Sequence, residues 1–92
     1  MIRSFKNKQS RDAYEGKRVR QFQSIQNQIE RRLQILDAAG SLVDLRNLPS
    51  NHFEALLGDR KGQYSIRINS QWRLCFKWID NEPYDVEIAD YH

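Results

Sequence analysis

Apolar residues recur along this chain with two different periods, and the change falls near residue 50. Phe22, Ile25, Ile29, Leu33 and Leu36 step by three or four. That spacing lays them along one side of a helix predicted over 20–39, with Gln26, Glu30, Arg31 and Gln34 on other sides. Gly40 stands where a helix C-cap is expected. Ser41, with Asp44 three places on, reads as an N-cap pair for a short second helix that buries Leu42 and Leu45. Pro49 closes that helix, because the residue before a proline is pushed out of helical geometry.

Beyond Pro49 the period is two. N-H-F-E-A-L-L predicts a strand and G-D-R-K-G a turn carrying Arg60 and Lys61. In Q-Y-S-I-R-I-N, Tyr64, Ile66 and Ile68 alternate with Ser65 and Arg67; N-S-Q is a tight reversal. In Q-W-R-L-C-F-K-W, Trp72, Leu74, Phe76 and Trp78 alternate with Arg73, Cys75 and Lys77. D-N-E-P turns again, and Y-D-V-E-I-A-D-Y-H is a last strand with Tyr84, Val86 and Ile88 inward. At the other end M-I-R-S-F predicts a short edge strand. For the charged stretch after it, a helix near 9–15 and a segment without fixed structure both stand.

These elements predict one α+β domain over 1–92, with helices packed on one face of a small antiparallel sheet. Consecutive strands pair most often, so a meander is the simplest topology. The other sheet face is then polar, with Arg67, Arg73, Lys77, Asp85 and Glu87. The last strand lies beside the 71–78 strand, so Asp90, Tyr91 and His92 emerge close to Arg73.

Composition narrows the classes of function. The chain has 92 residues, 39% of them hydrophobic, which suits a globular domain with one modest core. It holds no apolar run of membrane-spanning length and no apolar segment of signal-peptide type near its start, so a cytoplasmic protein is the expectation. The single Cys75 excludes an internal disulfide and reads as a small strand residue. Charge is uneven: residues 1–36 hold nine Lys/Arg against three acids, and residues 37–92 hold six against nine. A basic first half suits an anionic partner such as nucleic acid, and it equally suits a solvated surface.

No phosphate-binding glycine loop or dinucleotide fingerprint is present, and His52, Cys75 and His92 are too few and too scattered for a metal site. Neither a metal nor a cofactor is expected. Arginine binds phosphate bidentately and keeps its charge, and a fixed guanidinium stabilises the charge that develops on a phosphodiester under attack. Histidine suits proton transfer near neutral pH, and tyrosine can stack on an unpaired base. Arg73, Asp90, Tyr91 and His92 together make a candidate metal-free ribonuclease site. Against it stands a plain alternative, in which Arg73 pairs with Asp85 or Glu87 across the sheet and His92 is idle.

The run G-D-R-K-G-Q-Y-S-I-R-I-N-S-Q-W-R-L-C-F-K-W with the later E-I-A-D-Y-H resembles the HigB toxins of bacterial toxin–antitoxin modules, within the RelE/ParE-like superfamily. M-I-R-S-F and L-D-A-A extend the resemblance over nearly the whole chain. It implies a RelE-like α+β fold and a ribosome-dependent endoribonuclease that cuts messenger RNA by metal-free attack of a ribose 2′-OH. By position, Arg73 would stabilise the phosphate, Asp90 and His92 would move protons, and Tyr91 would orient the nucleotide. Arg60, Lys61, Arg67 and Lys77 would contact RNA. The implied partners are the ribosome, messenger RNA and a HigA-like helix-turn-helix antitoxin that carries the complex to operator DNA; no membrane is involved. There is a departure: Glu54 and Leu57 stand where some relatives have histidine and lysine. Glu54, or His52 two places away, is then the candidate acid or base. The ParE branch, which inhibits DNA gyrase without a nuclease site, and a non-catalytic RNA-binding module are the competing readings.

Overall fold

The period-two half folds into one antiparallel sheet in the order β1-β2-β3-β4, with β1 at Glu54–Ala55, β2 at Gln63–Arg67, β3 at Trp72–Ile79 and β4 at Glu82–Asp90. The computed structural model describes residues 1–90. The expected meander is therefore present. The M-I-R-S-F segment lies along the outer edge of β4, where Phe5 bridges Val86 in parallel and Arg3 N–H and Lys6 N–H donate to the carbonyls of Pro83 and Val86.

The turns follow from their residues. Asp80 and Asn81 both take positive φ between the paired Ile79 and Glu82, the two-residue geometry that matches strand twist and that Asn and Asp tolerate. Between β2 and β3, the Asn69 side chain accepts from the N–H groups of Gln71 and Trp72, both at 2.8 Å. The G-D-R-K-G segment is a 3-10 turn at Gly58–Arg60, entered through a left-handed Gly58 and left through a left-handed Gly62.

The helices cover one face. Helix α1 spans Lys8–Tyr14 and starts at Asn7, whose side chain accepts from Ser10 N–H. The helix expected over 20–39 is two elements: a 3-10 segment at Arg20–Ile25, then α2 at Gln26–Ala38. Phe22 and Ile25 are three apart, the 3-10 repeat, whereas Ile25, Ile29 and Leu33 follow the α-helical step of four. Gly40 does not cap α2. Ala39 ends it in extended conformation, and Gly40 N–H donates instead to Asp44 of helix α3 (Leu42–Arg46), while Ser41 caps α3 as expected.

The core is the seam between these layers. Phe22, Ile25, Ile29, Leu33, Leu36 and Leu45 from the helices meet Ile66, Leu74, Phe76, Val86 and Ile88 from the sheet, with Trp72 edge-on to Phe22. One sheet residue departs from the expected alternation. A bulge lies between the Cys75–Glu87 and Lys77–Tyr84 pairs, with Asp85 at positive φ. Its extra residue reverses the parity of β4, so Tyr84 shares the outer face with Lys77 rather than the core face with Val86 and Ile88. Ser4 clamps the bulge: its hydroxyl accepts from Asp85 N–H at 2.9 Å, and its carbonyl accepts from Val86 N–H.

Candidate active site

The outer sheet face is ordered in rows by the register. One row runs Glu54, Ser65, Cys75, Glu87, and the next runs Arg67, Arg73, Ala89. Rows on one face are two residues apart along a strand, roughly 7 Å. Arg67 and Arg73 therefore stand directly opposite each other beside the carboxylate of Glu54. Like charges in directly opposed strand positions weaken a sheet unless each has its own partners.

Arg73 is only 6% exposed. A buried guanidinium must have its donors matched. Arg73 Nε donates to Ser65 Oγ at 2.7 Å, its Nη2 donates to the main-chain carbonyl of His52 at 2.5 Å, and Glu54 Oε1 lies 3.9 Å from Nη2. The plain alternative, a pairing of Arg73 with Asp85 or Glu87, is not the arrangement found. Asp85 faces Lys77 at 3.3 Å, and Glu87 takes Arg60 at 3.0 Å and Lys6 at 3.9 Å. Arg67 is half-buried and donates from Nε to the Asn69 carbonyl.

The outer face is not the open polar surface that alternation implies. The segment from His52 to Gly62 folds over it: Leu56 packs on Cys75 and Ala89, and Arg60 crosses to Glu87. Burial opposes the charge of Arg60, but the hydrogen bond and charge of Glu87 outweigh it and hold the guanidinium above its ordinary pKa. Burial pushes the Cys75 thiol up, with the Arg60 and Arg73 charges acting in the opposite direction. A thiol held protonated is a poor nucleophile, in keeping with its reading as a strand residue.

The structure thus brings Glu54, Arg67 and Arg73 together, with Arg60 one strap away. Lys77 lies further along β3, exposed and paired with Asp85, and Lys61 is exposed at the turn. Asp90 pairs in register with Trp72, one place beyond Ala89, and accepts from the Gln71 side chain at 3.1 Å. Its Cβ springs from the face opposite Arg73. Tyr91 and His92 lie outside the described residues.

Three contributors escaped the sequence reading. Ser65 was legible only as a polar strand position. His52 was weighed as a proton carrier, yet what it gives Arg73 is a main-chain carbonyl. Its own backbone is left-handed, at φ 44°. Asn51, fully buried, fixes that turn: its side-chain amide donates to the Leu45 carbonyl at 2.9 Å and its oxygen accepts from Arg32 at 2.7 Å. No local pattern advertises such a residue.

Chemically, the arrangement offers a fixed pair of guanidinia for an anion such as a phosphodiester and a carboxylate within reach of the same point. Residues 3–92 match the family described as the RelE-like toxin of the type II toxin–antitoxin system HigB. A Vibrio cholerae serotype O1 protein named Toxin HigB-1 is 49% identical over 82 residues, covering 87% of this chain and 86% of that protein. A Proteus vulgaris protein named Endoribonuclease HigB is 35% identical over the full length of both chains. The fold matches the solved YoeB-YefM complex from Staphylococcus aureus with a TM-score of 0.62 at 24% identity, covering 100% of this chain and 98% of that one. Such a toxin has an antitoxin as its partner. No described helix is long and apolar enough to cross a membrane. With the family matched along almost its whole length and the RelE-like fold in place, the chain belongs to the HigB-like toxins of type II toxin–antitoxin systems.

Proposed function

We propose that this toxin is a ribosome-dependent endoribonuclease that cuts messenger RNA. The observation that carries the reading is the Arg67–Arg73 row beside Glu54, on a face that a loop partly shields from water. A full-length relative named as an endoribonuclease supports it. In the reaction, the ribose 2′-oxygen bonds to the adjacent phosphorus and the bond from phosphorus to the 5′-oxygen breaks. The products are a 2′,3′-cyclic phosphate and a free 5′-hydroxyl. Glu54 takes the 2′ proton, Arg73 and Arg67 stabilise the charge gained by the phosphoryl oxygens, and His92 returns a proton to the leaving oxygen. Tyr91 stacks on the displaced base. Arg60, Lys61 and Lys77 flank the RNA path, and the basic segment 6–20 contacts ribosomal RNA, the antitoxin or both. The antitoxin is of helix-turn-helix type and takes the complex to operator DNA; the toxin acts in the cytoplasm.

The test is primer extension on a reporter messenger RNA translated in vitro, with and without ribosomes. Wild type should cut only with ribosomes. Arg73→Ala and a chain ending at Asp90 should lose at least about a hundredfold in rate while still binding antitoxin. A toxic wild type that leaves no cuts sinks the endonuclease reading in favour of a gyrase-type target. Glu54 in place of a histidine also implies a slower toxin, and growth arrest as fast as for a histidine-bearing relative would count against that.

A further inference from the structure

We infer that Ser65 and Asn51 are positioning residues that hold the Arg73 guanidinium in its working orientation, an inference that rests on the endonuclease reading. Neither touches substrate. Ser65 is fully buried on β2, and its hydroxyl accepts the Arg73 Nε–H at 2.7 Å. Asn51 is fully buried at the end of the 3-10 turn Pro49–Asn51 and acts one residue further on.

The turn after Asn51 needs a left-handed residue, and His52 supplies it without being glycine. A non-glycine residue keeps that conformation only where its surroundings enforce it. They do: His52 N–H donates to the Pro49 carbonyl, and Asn51 ties the turn to α3 through the Leu45 carbonyl and to α2 through Arg32. The outcome of this bracing is the direction of one carbonyl, which receives Arg73 Nη2–H. The guanidinium is thus gripped at Nε from β2 and at Nη2 from the turn. Two separated contacts fix the plane of the fork, which a single one leaves free to swing. A phosphate bound bidentately demands that plane. A misplacement of about 1 Å at such a group costs up to roughly a hundredfold in rate.

Two measurements decide it. The first uses the free protein and needs no ribosome: hydrogen exchange of the Arg73 Nε–H by nuclear magnetic resonance, assigned with Arg73→Lys. This proton should be protected in wild type and exchange at least about tenfold faster in Ser65→Ala, and the Nη2 protons should do so in Asn51→Ser. The second is single-turnover cleavage of ribosome-bound messenger RNA. Both variants should lower the rate constant roughly ten- to a hundredfold with the half-saturating ribosome concentration unchanged. A merely destabilising change lowers the amplitude of the single-turnover phase and leaves the rate constant alone. Unchanged exchange, or a rate constant within twofold of wild type, overturns the inference. Asn51→Ser leaves β2 intact and keeps it testable should Ser65→Ala fold poorly. If wild type itself does not cut, the endonuclease reading fails while the exchange experiment still decides the positioning.

Discussion

Arg73 and His52 exchange the roles that their residue types suggest. The arginine, a surface residue by habit, is buried at 6% exposure, and the histidine, usually the proton carrier, contributes its main chain. His52→Asn keeps the carbonyl, and asparagine tolerates the left-handed region. It should therefore cut messenger RNA within about twofold of wild type by primer extension, since removing a general acid or base costs about a hundredfold or more. A loss of that size would return the imidazole to the mechanism. Cys75 carries a second expectation. Its thiol is buried and raised in pKa by that burial. In the unfolded chain the thiol ionises at its ordinary value, in the fold only at higher pH, so its contribution to stability is complete below the ordinary value and falls as pH rises through it. Iodoacetamide at pH 8 should label unfolded chain readily and native protein only at the rate of opening. Prompt native labelling would show the outer face to be open.

At the scale of elements, most of the fold was readable because most of it obeys a single period. Three strands, their meander and the Ser41 cap follow from alternation and turn chemistry; of the strand expected over 51–57 only Glu54–Ala55 pairs, because Asn51 ends a 3-10 turn and His52 is left-handed. The failures have local causes. The 20–39 helix divides at Ile25, and spacing does not mark the break: Phe22 and Ile25 are three apart in the 3-10 segment, as Leu33 and Leu36 are inside α2, so a mixture of threes and fours reads as one α-helical face. Tyr84 was placed inward because alternation counts residues, and the bulge at Asp85 adds one. That bulge can be tested by stability. Val86 is fully buried against α2's side of the sheet, so Val86→Ala should cost about 2 kcal/mol in urea unfolding. Tyr84→Thr, on the outer face, should cost clearly less, whereas an unbulged strand would make the tyrosine the larger loss of the two. The same logic explains why the site was half legible: Arg73 and Glu54 announce their chemistry by residue type, while Ser65 and Asn51 matter only through what they touch.

At the scale of the molecule, charge and shape agree on one further point. Arg3, Lys6, Lys8 and Arg11 line a shallow groove along the N-terminal segment and α1. Lys6 shares Glu87 with Arg60, so this basic border is continuous with the outer face that holds Arg73. The cations of its ion pairs are about half exposed or more, which keeps those pairs weak. They give way readily to phosphates, whose binding releases counterions. Such contacts position a toxin on ribosomal RNA without reading sequence. Replacing Lys6, Lys8 and Arg11 by alanine should weaken ribosome association at every codon alike, and the log–log salt dependence should fall by about 0.7–0.9 per cation removed. The cleavage positions on the reporter should stay where they are, because the groove lies outside the Glu54, Arg67 and Arg73 rows proposed to meet the scissile phosphate. Cuts that move to other codons in the triple variant would mean that this border takes part in choosing the site, and its role would then extend beyond electrostatics.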